Sequence, residues 1–363
     1  MSLRTNASSP YMEFAKLRSA AKYNLATSGI VSYPLAELPV RLKDLEINGP
    51  TLYGYAPLLE RLAIRNGVDV ECVTTAAGTS MANHLAFAAT LVPGDEALVE
   101  HPTYELLVST LDYLGVSVRY FERRMEDGFR VNPEKVERAI TSKTRLIVLT
   151  NLHNPTGAYV DELTLRAVGE IARKHGARVL VDEVYLEAMY EHRPRPAIHL
   201  GEHFLVTSSL TKAFGLSGLR CGWVLANPEL TNRIRHINDL YGVNAAFPAD
   251  LLSVIALDNL DRVSARAKKL LDANRPAMDA LLRSRDNLEC VRPEFGTIVF
   301  PKLLRGSVEE FDKLLREKYE TAIVPGSYFD MPQHFRIGIG GDPETTRLAF
   351  ERLVDGLDEM RKR

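Results

Sequence analysis

Residues 144–185 read TRLIVLTNLHNPTGAYVDELTLRAVGEIARKHGARVLVDEVY. The opening TRLIVLT is an almost continuous apolar run, and it stops at a turn, Asn154-Pro155-Thr156-Gly157. Across residues 160–176 apolar side chains recur at three- and four-residue spacing and the segment closes on glycine, which predicts an amphipathic helix. ARVLVDEVY then returns to an apolar run and ends in an acid. Strands without a polar face, separated by helices, belong in a mostly parallel sheet covered on both sides.

The same texture extends outward. EALVEHPTY (residues 96–104) and HFLVTSSLTK (residues 203–212) read as further strands, and TTAAGTSMANHLAF (residues 74–87) passes from a glycine turn into a helix. After about residue 250 the pattern changes. LLSVIALDNLDRVSARAKKLLDANRPAMDALL (residues 251–282) reads as one long helical stretch. Period-two runs follow in GTIVFPKL, TAIVPGSYF and QHFRIGIGG. The expectation is an α/β chain with a large domain over residues 38–250 and a smaller α+β domain over residues 251–363. The N-terminal residues 1–37, too short to fold alone, are expected to pack on the smaller one.

Composition narrows the function. With 363 residues, two domains are the default. A formal net charge of −2 gives no reason to expect nucleic-acid or anionic-membrane binding. Cys72, Cys221 and Cys290 are far apart and odd in number, which argues against a disulfide framework or a zinc site and suits a reducing cytoplasm. The first residues lack the apolar core of a signal peptide, and no apolar run approaches a membrane span of about 20 residues.

In an open α/β sheet, ligands bind beyond the carboxyl ends of the strands. Here those ends lead to Tyr104, to Asn154, to Asp182 and Tyr185, and to Ser208, Ser209 and Lys212. Gly78-Thr79-Ser80 opens a helix whose free N–H groups suit a phosphate. Each group alone has an ordinary explanation: a solvated lysine, a helix-capping aspartate, a Pro-Gly turn, a core tyrosine, an N-cap. A single ligand would use them all. It has a phosphate for the helix start and Arg220, a flat ring for Tyr104, a ring cation for Asp182, a phenolic oxygen for Asn154 and Tyr185, and an aldehyde for Lys212. That ligand is pyridoxal 5′-phosphate (PLP).

These residues, with the Ser209-Leu210-Thr211-Lys212 motif and Arg336 in HFRIGIGG, resemble in kind and order the fold-type I, class I/II aminotransferases of the aspartate aminotransferase superfamily. The resemblance runs from about residue 25 to the C-terminus. It implies a large PLP-binding domain, a smaller mobile domain and a homodimer with its sites at the interface. It also implies a Schiff base on Lys212, which shuttles the proton between substrate and cofactor. Gly78, Thr79, Ser80, Ser209 and Arg220 would hold the phosphate, and Asp182 would protonate the pyridine. Asn154 and Tyr185 would tune the phenolic oxygen, and Tyr104 would stack on the ring. Arg336, Gly29 and Asn154 would take the substrate's α-carboxylate. The family's tyrosine that reaches the neighbouring subunit's phosphate is assigned to Tyr53, with Tyr55 close by.

No second arginine presents itself for a distal carboxylate, since Arg233 and Arg235 read as helix-surface charges, and His101 and His153 read as structural. The expected activity is transamination between an L-amino acid and a 2-oxo acid, with no metal. A PLP-dependent lyase, cyclase or synthase is the nearest alternative, and a non-catalytic protein of the same fold a more distant one. A dinucleotide-binding oxidoreductase lacks its G-x-G-x-x-G turn.

Overall fold

In the computed structural model, which describes residues 8–362, the chain enters through helix α1 (Pro10–Leu17) and a two-residue strand, β1 (Tyr23–Asn24). Helix α2 (Ala56–Asn66) leads to the central sheet. Its strands are β2 (Val73–Ala77), β3 (Glu96–His101), β4 (Ser117–Glu122), β5 (Thr144–Thr150), β6 (Arg178–Asp182), β7 (Phe204–Ser209) and β8 (Cys221–Leu225). They lie in the order β2-β8-β7-β6-β5-β3-β4. The block β4-β3-β5-β6-β7 is parallel, and β8 runs antiparallel to both β7 and β2. That reversal has a local cause. A parallel crossover needs about a dozen or more residues, usually a helix, and residues 210–220 supply only a tight loop.

The apolar strands divide their side chains by the two-residue period. Leu98, Ile147, Val179 and Val206 face one layer, with Leu62 of α2 and Val168 of the helix Glu162–Lys174. Ala97, Leu146, Leu180 and Leu205 face the other, with α3 (Gly78–Thr90) and α4 (Glu105–Tyr113). All eight of these strand residues are fully buried. At roughly 1.5–3 kcal/mol for each large aliphatic side chain, the two layers fix the register of the sheet. Strand β4 was not legible as such, because it is the edge strand and most of its residues are exposed or half-buried.

The remaining residues build a second core. Three short strands, β9 (Leu288–Glu289), β10 (Ile298–Val299) and β11 (Lys302–Leu303), precede β12 (Thr321–Ala322), β13 (Val324–Pro325) and β14 (Phe335–Gly338). Strands β10 and β13 flank β14 in antiparallel pairs, and β9 pairs with β11. Strand β1 pairs in parallel with β12, which ties the N-terminal segment to this core. One expectation is corrected: residues 251–282 do not form one helix. They divide between Phe247–Asp258 and Leu260–Arg283. The break falls at Asn259, whose side chain donates to Ile255 O (2.8 Å) and competes with the helical ladder.

Candidate active site

Strand order places β3 and β5 side by side with their chains leaving in opposite directions across the sheet, and a crevice opens beyond such a switch point. One cavity there takes side chains from most of the strand ends. Thr79 and Ser80 of α3, Tyr104, Asn154, Asp182, Tyr185, Ser209, Lys212 and Arg220 all line it.

Hydroxyls and one guanidinium gather at the start of α3. Thr79 Oγ1 donates to Ser209 Oγ (2.8 Å), and the Thr211 N–H donates to the same oxygen (3.2 Å). Arg220 adopts a left-handed backbone (φ 50°) and donates from Nη2 to Ala77 O (3.0 Å). Gly78 explains itself against it. Its φ is 77°, and a Cβ there would lie 2.2 Å from Arg220 Nη2. Gly222 is needed too, since its Cβ would lie 2.4 Å from the Gly78 carbonyl carbon.

Asp182 is buried at the end of β6, and both carboxylate oxygens are held. Oδ2 accepts from Asn83 Nδ2 (2.8 Å) and Oδ1 from the Val184 N–H (3.1 Å). Asn83 Oδ1 in turn accepts from Thr207 Oγ1 (2.6 Å). Burial pushes the Asp182 carboxyl up to about 6, against the pull of those two hydrogen bonds and of Lys212. Lys212 Nζ donates to Ser28 Oγ (3.1 Å). Gly29 lies alongside: a Cβ there would be 3.0 Å from Lys212 O, and the next residue's N–H donates to that same carbonyl (2.8 Å).

The turn carrying Asn154 is fixed from below. Glu100 Oε1 accepts from the Thr150 N–H (2.6 Å) and Oγ1 (2.5 Å), while Arg123 Nη1 donates to Glu100 Oε2 (2.5 Å). Thr150 Oγ1 then accepts from the Asn154 N–H (3.0 Å). His153 is structural, as read: its ring bonds Thr156 Oγ1 (2.6 Å) and Pro102 O (2.8 Å), and burial holds its pKa well below the ordinary value.

Arg336, on β14, is fully buried. Its Nη1 donates to Asn154 Oδ1 (2.9 Å) and its Nη2 to the Tyr11 hydroxyl (2.7 Å). A β-strand of the second core is thereby joined to the end of β5. Tyr53 lies elsewhere. It is half exposed, meets His236 edge-on at 5.6 Å, and borders a separate depression with Thr51, Gly54 and Asn244. Sequence reasoning missed Tyr11, Met12, Ala15, Ser28, Asn83 and Thr150, all of which line the cavity. Asn83 left a signal, a polar amide on an otherwise apolar helix face. The N-terminal residues left none.

The donor set suits PLP. Arg220, three hydroxyls and a helix N-terminus match a phosphate, a buried carboxyl matches a ring cation, and a lysine amine opens into the same space. A model of the family "aminotransferase class I and II" matches residues 47–353. The chain belongs to that family.

As a class I/II aminotransferase it has well-covered relatives. It is 28% identical over 355 residues to capreomycidine synthase from Streptomyces vinaceus, covering 93% of this chain and 90% of that one. It is 29% identical to the aspartate/prephenate aminotransferase of Thermus thermophilus, covering 82% and 79%. The crystal structure of a PLP-dependent aminotransferase from Streptococcus suis superimposes with a TM-score of 0.88, at 27% identity and 94% coverage of each chain. The cofactor of this class I/II aminotransferase is PLP, and its reaction moves an amino group between an L-amino acid and a 2-oxo acid. Among the described residues no helix is long and apolar enough to cross a membrane.

Proposed function

We propose that Lys212, Asp182, Arg220 and Arg336 divide the work of this transamination. The observation that carries the reading is their convergence: the first three open into one cavity, and Arg336 joins it through Asn154. Bound PLP supplies an aldehyde and an electron-poor ring that accepts the electron pair released at the substrate's α-carbon. Lys212 Nζ is the covalent anchor, and as a free amine it takes the α-carbon proton and returns it. Asp182 holds a proton on the ring nitrogen, and next to that cation its carboxylate form is favoured again. Asn154 and Tyr185 would hydrogen-bond the phenolic oxygen, and Tyr104 would pack against the ring. Gly78, Thr79, Ser80, Ser209 and Arg220 bind the phosphate. Arg336, with Asn154 and the Gly29 backbone, orients the α-carboxylate.

The same proposal divides the chain into a cofactor domain over residues 38–250 and a smaller domain of residues 1–37 and 251–363, of which 1–7 and 363 lie outside the described residues. It makes the enzyme a cytoplasmic homodimer. Leu42, Ile47, Leu52, Leu240 and Val243 are 63–88% exposed, and Thr51, Tyr53 and Val243 border one depression. Apolar surface of that extent fits a second copy of the chain, with Tyr53 reaching the copy's phosphate. Light scattering of the holoenzyme tests this, and a monomer at micromolar concentration would refute it.

The similarity to capreomycidine synthase favours one second reading, a synthase or cyclase acting on an amino acid at the same residues. Spectra of the holoenzyme against a panel of amino acids separate the two. Turnover that requires an added 2-oxo acid is transamination, and turnover without one is the alternative.

A further inference from the structure

Helix α1 forms one wall of the cavity through Tyr11, Met12 and Ala15. Its Tyr11 and Phe14 are buried in an aromatic cluster with Tyr328 and Phe329, and a few polar contacts add to that packing. Ser9 at its N-cap is bonded to Glu105, Met12 Sδ accepts from the Tyr104 hydroxyl (3.5 Å), and the Tyr11 ring meets Tyr104 edge-on at 5.4 Å. The remaining polar tie is the Tyr11 hydroxyl on Arg336 Nη2, which also donates to Ala26 O (3.3 Å).

A carboxylate pairs bidentately with a guanidinium in one of two forks, Nη1 with Nη2 or Nε with Nη2. Both forks use Nη2, and both of its N–H groups are engaged. Arg336 Nε, by contrast, is buried without a partner in the protein and is free to take an acceptor. A carboxylate on the Nε–Nη2 fork satisfies Nε and must expel one acceptor from Nη2. Ala26 O belongs to the backbone next to β1, whereas the Tyr11 side chain faces the cavity.

We propose that the Tyr11 phenol is a stand-in for the substrate's carboxylate: it holds Arg336 in the resting site, and the incoming carboxylate displaces it and loosens helix α1. This deepens the reading above and rests on Arg336 being the carboxylate clamp.

The test uses two probes on the holoenzyme. Aminooxyacetate forms an oxime with the cofactor by displacing the Lys212 amine from its Schiff base and carries a carboxylate, and O-methylhydroxylamine reacts alike and carries none. Absorbance gives each a second-order rate constant. Tyr11→Phe removes the competing hydroxyl and keeps the ring, so the preference for aminooxyacetate rises about tenfold, the factor of one hydrogen bond to a charged group. Amide exchange over residues 10–18 is faster with aminooxyacetate than with O-methylhydroxylamine. An unchanged or lower preference in Tyr11→Phe, or equal exchange with the two probes, overturns the proposal. Arg336→Lys tells this failure from the failure of the underlying reading. If that variant keeps the parent's preference for aminooxyacetate, Arg336 is not the clamp at all. If it loses the preference while Tyr11→Phe gains none, only the role of Tyr11 falls.

Discussion

Replacing Asp182 by Asn makes the apoenzyme more stable at neutral pH while it weakens the cofactor site. A carboxyl whose folded pKa stands at about 6, rather than the 3.8 of an exposed one, binds its proton more tightly folded than unfolded. Below about pH 4 the group is protonated in both states and costs nothing. As pH rises from about 4 to 6 the unfolded chain ionises first, and stability falls. Above pH 6 the burial of the charge costs about 3 kcal/mol. Asparagine removes that cost. It cannot keep both hydrogen bonds, because Asn83 Nδ2 and the Val184 N–H are both donors and the new amide offers one acceptor. Asn83 cannot turn over, since its Oδ1 is held by Thr207 Oγ1. The lost bond costs about 1 kcal/mol. The net expectation is a gain of about 2 kcal/mol above pH 6, shrinking and then reversing towards pH 4. Glu183, which burial pushes up to about 7 with a smaller contribution from the Asp182 charge, titrates in both proteins, so most of its own pH dependence cancels in the difference between them. Urea denaturation of the two apoproteins from pH 4.5 to 8 measures it. A variant destabilised by the same amount at every pH would show that Asp182 is not a desolvated carboxylate. In the holoenzyme the order inverts: Asp182→Asn binds PLP more weakly and removes the substrate's α-proton far more slowly.

Lys212→Ala should fold and lose turnover by several orders of magnitude, and borohydride reduction of the parent holoenzyme should place the pyridoxyl group on Lys212 by peptide mass mapping. Label on another lysine would refute the anchor. Arg336→Lys keeps the charge and loses the planar fork, so kcat/KM for every amino acid substrate should fall by roughly 2–4 kcal/mol of transition-state binding with the cofactor spectrum unchanged. Gly78→Ala drives a Cβ to 2.2 Å from Arg220 Nη2 at a φ of 77°, so equilibrium dialysis should find PLP bound at least about tenfold more weakly. Unchanged affinity would remove Arg220 from the phosphate site.

The sequence by itself determined the parallel α/β sheet and the residues at its strand ends. Tyr104, Asn154, Asp182 and Lys212 each follow an apolar run directly, and once the run is a buried strand its end is fixed in space within a few residues. Polar groups at such ends have one common place to go, which is why they could be read together. What the tertiary structure decided lies across long separations. Arg336 meets Asn154 across 182 residues and Tyr11 across 325, and Lys212 meets Ser28 across 184. Periodicity states which face of an element is apolar, but not which distant element covers it. Helix α1 looks like any short amphipathic segment until β1 pairs with β12 and the short link from α1 to β1 brings Tyr11 to the guanidinium. Asn83 stands between these cases. Its amide on an apolar face signalled a buried partner, and only the packing of α3 against β6 and β7 named Asp182 and Thr207.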